Sequence, residues 1–177
     1  MFSNIEGRQF VIADTHFNDA NIIRFCDRPF SSVDEMNTML IDNWNSVVEP
    51  YDTVWILGDF FTFNDLYDYP VDGLGRDFKY IVNKLHGHKN LIKGNHDIKD
   101  NNFYFNYFDF YSPYPIVLNN FFLLSHEPLQ LSETTPYFNI YGHVHNDKKY
   151  VDNITSKCVS VERIGYRPLL LNYVTSK

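Results

Sequence analysis

Cysteine, basic charge, long apolar runs and flexible linkers are all scarce in this chain of 177 residues, and each shortage removes a class of protein. Cys26 and Cys158 are too few for a disulfide framework; without a Cys-x-x-Cys pair they read as two free, buried thiols rather than a zinc knuckle. The 15 Lys and Arg against 22 Asp and Glu leave a formal charge of -7, so the surface lacks a basic footprint for strong nucleic-acid binding. A phosphate-bearing substrate therefore needs a local source of positive charge. No apolar run approaches the roughly 18 residues of a membrane span. Met1-Phe2-Ser3-Asn4-Ile5-Glu6 lacks the basic start and apolar stretch of a secretory leader, so a cytoplasmic protein is the expectation. No Pro/Gly/Ser-rich linker, repeat or charge block divides the chain, and 44% apolar residues are enough for one core, which predicts a single domain over 1–177.

Short β-branched and aromatic runs are present instead. Arg8 to Ala13 and Thr53 to Leu57 each lead straight into polar residues, as buried strands of an α/β sheet do. Between them Ser32-x-x-Glu35 forms a capping box, and Val33, Met36, Leu40, Trp44 and Val47 recur at helical spacing until Pro50. Phe78, Ile81, Val82 and Leu85 predict a second helix over Asp77 to Leu85, with Gly87 as its cap and a strand at Asn90-Leu91-Ile92. The later half is strand-rich. Pro115 to Leu118 and Phe121 to Leu124 flank Asn119-Asn120, read as a two-residue hairpin turn because Asn tolerates positive φ. Tyr137 to Tyr141, Cys158 to Val161 and Leu169 to Tyr173 read as further strands.

Five polar clusters follow these strand-like runs: Asp14-Thr15-His16, Gly58-Asp59, Gly94-Asn95-His96-Asp97, Ser125-His126 and Gly142-His143-Val144-His145. Singly, each is a weak signal and reads as a turn carboxylate or a satisfied histidine. Together they hold five of the seven histidines, always where open α/β sheets place ligand-binding residues. Imidazoles and carboxylates suit borderline divalent cations such as Mn, Fe, Zn or Ni, and one carboxylate can bridge a pair of ions. Residues two apart, as in Asp14-x-His16 and His143-x-His145, project from one side of an extended segment. A glycine before a ligand lets the backbone turn and approach closely.

These motifs, in this order from Asp14 to His145, resemble the calcineurin-like metallophosphoesterase superfamily. Asn21-Ile22-Ile23-Arg24-Phe25-Cys26-Asp27-Arg28-Pro29-Phe30 and Gly165-Tyr166-Arg167-Pro168 are similar to its small bacterial and bacteriophage branch. A phage or low-GC source also suits the scarcity of alanine, found only at Ala13 and Ala20. The resemblance implies a four-layer α-β-β-α sandwich of two mixed sheets with flanking helices. It implies two divalent ions, with Mn²⁺ the first expectation: Asp14, His16, Asp59 and His145 on one, Asp59, Asn95, His126 and His143 on the other. It further implies phosphate-ester hydrolysis, with His96 assisting the leaving group and Asp97 as the candidate to orient its ring. The expected partner is a small phosphorylated substrate such as a nucleotide or phosphodiester. The competing readings are a non-catalytic scaffold on the same fold and a nuclease acting on DNA ends.

Two positions depart from the branch pattern. Asn18-Asp19 stands where Gly-His is usual, which sets a carboxylate near the expected mouth of the site, and Thr62 stands where an Asp or Asn commonly follows Gly-Asp. Arg24 and Arg28 offer a guanidinium fork to a phosphate oxygen, or else a salt bridge beside a helix. Phe103, Tyr104, Phe105, Tyr107, Phe108, Phe110, Tyr111 and Tyr114 read as packing onto the core, with a base-stacking lid as the alternative. His86 and His88, around Gly87, read as helix-end histidines.

Overall fold

The computed structural model describes residues 7–63 and 77–175. Strands β1 (Gln9–Ile12), β2 (Thr53–Leu57) and β3 (His88–Ile92) lie parallel in a five-stranded sheet of order β4-β3-β2-β1-β9. Short β4 (Phe110–Ser112) joins in parallel beside β3, and β9 (Leu169–Leu170) joins antiparallel beside β1. The second sheet, β5-β6-β7-β8, consists of Ile116–Leu118, Phe122–Leu124, Phe138–Tyr141 and Ser156–Cys158. Its β5 is antiparallel to β6, and the other pairings are parallel. Both sheets are therefore mixed, as expected.

Alternation along the first sheet creates two cores. Phe10, Ile12, Val54, Ile56 and Leu91 face the helices, meeting Ile22 of α1 (Ala20–Phe25), Met36, Leu40 and Trp44 of α2 (Val33–Asn45), Phe78 and Ile81 of α3 (Phe78–Lys84), and Tyr104 of α4 (Asn101–Phe105). Val11, Ala13, Trp55, Leu57 and Ile92 face the other way and pack on Leu118, Leu124, Phe138 and Ile140 of the second sheet. Among the described residues every α-helix gathers on the first sheet's outer face.

The expected segments recur with local changes, except that Leu171–Tyr173, read as the end of a strand, is a 3-10 helix after β9. Ser32 caps α2 through a bond from the Glu35 amide, while the Glu35 carboxylate returns to Ser31. Leu85 ends α3, and Gly87, at φ 82, makes the turn into β3. Asn119 and Asn120 both adopt positive φ, but Leu118 pairs with Phe122, so the hairpin loop has one residue more than expected. Cys158 to Val161 serves both sheets: Val159 N–H donates to Tyr141 O, and Ser160 bridges to Ala13. That crossing brings the exit of β1 and the segment after β7 together. Helices α1 and α4 and strand β4 were not anticipated, since three to six residues are too few for a periodic signal. The residues read for a leader, 1–6, lie outside the described residues.

Candidate metal centre

Each cluster emerges at the C-terminal end of a strand: Asp14 and His16 after β1, Asp59 after β2, Asn95 after β3, His126 after β6, and His143 and His145 after β7. Five of these residues leave their strands in the left-handed region, with φ of 58° at Asp14, 46° at His16, 52° at Asp59, 69° at His143 and 47° at His145. Residues with a Cβ rarely adopt this geometry, and it costs of order 1–3 kcal/mol each. Such a concentration marks a place where the surrounding fold holds side chains in a required direction.

The glycines serve close approach. A Cβ on Gly58 would lie 2.5 Å from His126 Nδ1, and one on Gly94 would overlap the Asp59 carboxylate.

Among the described residues two groups gather the expected ligands, and a third, Cys26, His145 and Glu162, lies behind the first. Asp14, His16 and His145 bring donor atoms within 4.8 Å of one another, as do Asp59, His126 and His143. The Asn95 Oδ1 joins the second group, 2.8 Å from His126 Nε2 and 2.9 Å from His143 Nδ1. Asp59 Oδ2 stands between the groups, 3.5 Å from His16 Nε2 and 3.4 Å from His126 Nε2. His126 Nδ1, 2.9 Å from the Leu57 carbonyl, must donate to it, which directs Nε2 toward the group. His145 Nδ1 lies 3.0 Å from Glu162 Oε1, which likewise directs its Nε2 inward. Neither ring nitrogen of buried His16 has a hydrogen-bond partner; the nearest carboxylate oxygens stand off at 3.7 Å (Asp19) and 3.5 Å (Asp59). Converging electron-rich atoms and an orphaned imidazole fit divalent cations, and the N/O donor set is that of borderline metals.

Electrostatics follow from this crowding. Burial opposes charge on His126, but Asp59 and Asp14 raise its pKa to about 9. Burial also opposes charge on His145, yet Cys26, Glu162 and Asp14 raise it to about 10. Burial lowers His16 to about 3. Burial would lift the Asp59 carboxyl, but His126 and His16 hold it down at about 2. Asp14, wholly buried, is pushed up to about 6.

The seven expected ligands thus meet at one place. His96 stands at its mouth, exposed, with its ring centroid 5.2 Å from that of His16 and its amide donating to Asp59 Oδ1. Asp97 does something other than orient the His96 ring. Buried, with its carboxyl pushed up to about 6, it accepts from the amides of Asp59 (2.9 Å), Phe60 (3.1 Å) and Gly94 (2.8 Å), bracing two ligand loops. Arg28 does not reach outward to a phosphate. Its buried guanidinium donates to the carbonyls of Asp14 (2.7 Å) and Thr15 (2.9 Å) and to Glu162 (2.7–2.9 Å). Arg24 is exposed on the last turn of α1. Asp19 caps α1, accepting from the amides of Asn21 and Ile22 and from the Thr62 hydroxyl, and it also sets a carboxylate beside the centre, with Oδ2 3.7 Å from His16 Nδ1. His86 and His88 lie apart, beside Val48 O and Asp109.

Glu162 and Ser160 were missed. Glu162 ties His145 to Arg28, and Ser160 Oγ donates to Asp14 Oδ2 at 2.6 Å. The only sequence signal is that Glu162 follows a strand-like run, as the five clusters do.

Comparison with known proteins places these residues in context. Residues 8–170 match the family described as calcineurin-like phosphoesterase. An uncharacterized protein of Methanocaldococcus jannaschii is 34% identical over 172 residues, covering 93% of this chain and 88% of that protein. A protein of unknown function from Aquifex aeolicus superposes with a TM-score of 0.67 at 27% identity, over 93% of this chain and 95% of the other. The Pseudomonas putida nuclease MPE shares the fold with a TM-score of 0.50 at 23% identity, over 78% of this chain and 61% of that one.

Proposed function

The chain belongs to the calcineurin-like phosphoesterase family, and we propose that within it the protein is a dinuclear hydrolase of a small phosphodiester or nucleotide. The observation that carries this reading is Asp59 Oδ2, a single carboxylate oxygen within 3.5 Å of a histidine of each ligand group. Asp14, His16, Asp59 and His145 would hold one ion and Asp59, Asn95, His126 and His143 the other, with Mn²⁺ the first expectation and Fe, Zn or Ni the alternatives. When bound, a pair of such ions lowers the pKa of water toward neutrality and neutralises phosphoryl oxygens.

The chain's own groups supply the rest. Exposed His96 has its backbone fixed by Asp59 Oδ1 and its ring free to hand a proton to the leaving-group oxygen. Asp97 ties the Asp59 and Gly94 loops together through their amides, which holds Asp59 and Asn95 at one place. The formal charge of -7 weighs against duplex DNA and for a substrate small enough to meet the local positive charge alone.

The test is titration of the purified protein with Mn²⁺ while following bis(p-nitrophenyl) phosphate and p-nitrophenyl phosphate. Metal-dependent turnover is expected, faster on the diester, and a scaffold protein would show none. His96→Ala should keep its metal and lose roughly 10²–10⁴-fold in kcat, the contribution of a positioned acid; unchanged kcat removes His96 from the reaction.

A further inference from the structure

We propose that the cleft beside Asn95 and His126 binds the nucleobase of a nucleotide substrate, with Tyr114 stacked on the ring and Lys93 and Glu127 meeting its polar edge. The proposal rests on the phosphoesterase reading and names the substrate class of that same site. The cleft, of about 320 Å³, is continuous with the metal centre because Asn95 and His126 are among its walls. That volume is at the lower end for small-molecule sites and holds one nucleoside-sized group.

Tyr114 is the first indication. Most of the neighbouring aromatic run is spent on packing: Tyr104, Phe108 and Tyr111 are buried, Phe103 and Tyr107 pack against them, and Phe105, though exposed, is not part of the cleft wall. Tyr114 closes the run at 73% exposed, yet its backbone is held firmly. Ser112 Oγ donates to Tyr114 O at 2.7 Å and accepts from its amide at 3.2 Å, and Pro113 and Pro115 restrict φ on either side. A large ring held out on a rigid turn at the cleft wall stacks on a base with little further loss of entropy.

Charge supplies the second indication. Lys93 directly precedes Gly94-Asn95, and its amide donates to Ser112 O, which ties it to the Tyr114 turn. Among the described residues Lys93 has no ion-pair partner, and the cleft's carboxylate is that of exposed Glu127. Away from His126, which belongs to the metal centre, the two charges offset each other, and the pair suits a neutral ring with acceptors for the lysine and N–H donors for the carboxylate. Ile92, Pro113, Pro115 and Leu129 complete an apolar surround.

The experiment compares thymidine 5′-p-nitrophenyl phosphate with methyl p-nitrophenyl phosphate, which has the same leaving group and no base, on the Mn²⁺-loaded protein. Tyr114→Ala should raise KM for the nucleoside diester roughly tenfold more than for the methyl diester, the loss expected of one stacked base. Lys93→Ala should discriminate in the same sense, and Glu127→Gln should change the order of preference among the four bases. Equal effects on both diesters would overturn the proposal. Calorimetric titration of the metal-free protein with thymidine 5′-monophosphate separates the two readings. If neither diester is turned over, the phosphoesterase reading fails. The base site then stands only if the nucleotide still binds and Tyr114→Ala weakens it about tenfold; equal or absent binding overturns it.

Discussion

At the scale of single residues, the centre depends on geometry that most side chains avoid. Asp14, His16, Asp59, His143 and His145 all leave their strands at positive φ, and the bonds around them maintain it. Asp14 accepts from His143 N–H and Ser160, Asp97 gathers three amides, and Arg28 grips the consecutive carbonyls of Asp14 and Thr15. Glu162 links this grip to His145. Its side chain is 4% exposed, and one oxygen meets both His145 Nδ1 and Arg28. Glu162→Gln keeps the shape and removes the charge, so Mn²⁺ should bind about 10- to 100-fold more weakly at the Asp14–His16–His145 group, as for other losses behind a metal-bound histidine. Stoichiometry and affinity by calorimetry check this; two sites at wild-type affinity would show that Glu162 only packs. Glu162→Ala, which strands the Arg28 charge in the interior, should cost roughly 3–5 kcal/mol in urea unfolding.

At the scale of elements, short helices position the loops. Helix α1 has only six residues and depends on its cap. Asp19 holds that cap with Oδ1 while Oδ2 receives the Thr62 hydroxyl, joining α1 to the segment after Asp59. Asp19→Ala should therefore cost about 1–2 kcal/mol, and Asp19→Ser, which still caps, clearly less. Equal losses for the two variants in urea titrations would place the contribution elsewhere. The two branch departures, at Asp19 and Thr62, are thus one interaction. Each looks isolated in the sequence because the partners are 43 positions apart.

At the scale of the whole molecule, the centre's ionisation sets the response to pH. Glu162 and Asp59 have folded pKa values of about 2, below their ordinary 4.5 and 3.8, so their contribution is full above those values and is lost as pH falls toward 2. Asp14 and Asp97, raised to about 6, and His126 and His145, raised to about 9 and 10, act in the opposite sense. Their contribution is full below their ordinary values and is lost as pH rises through the folded ones. The metal-free protein should be most stable at about pH 4, where the gain from Glu162 and Asp59 is nearly complete and the loss through Asp14 and Asp97 has only begun. His16, lowered by burial to about 3, offsets part of that loss up to about pH 6.5, and deprotonation of His126 and His145 then weakens the fold toward pH 9. Calorimetric melts across this range check it, and a Tm that rises from pH 6 to 9 would contradict it. Mn²⁺ must displace the protons of His126 and His145, so loading should release protons and raise Tm more at pH 8 than at pH 6. Titrations in buffers of different ionisation enthalpy would detect the release; its absence would mean that neither histidine is a ligand.

The sequence by itself determined the longer strands, helices α2 and α3 and the candidate ligand residues, because each of these is written within a few adjacent residues. Asp14-x-His16, Gly58-Asp59, Gly94-Asn95-His96 and Gly142-His143-x-His145 follow strands whose β-branched and aromatic runs identify themselves. Only the tertiary structure decided which neighbours serve the centre. Arg28 seemed fit for phosphate and is instead buried against Glu162, 134 positions away. Asp97, one residue from His96, holds amides of a different loop. Tyr114, one aromatic residue among many, is the one held exposed beside Asn95 and His126. Local patterns record backbone preference and burial, whereas the direction of a side chain is set by elements that meet only once the two sheets have packed.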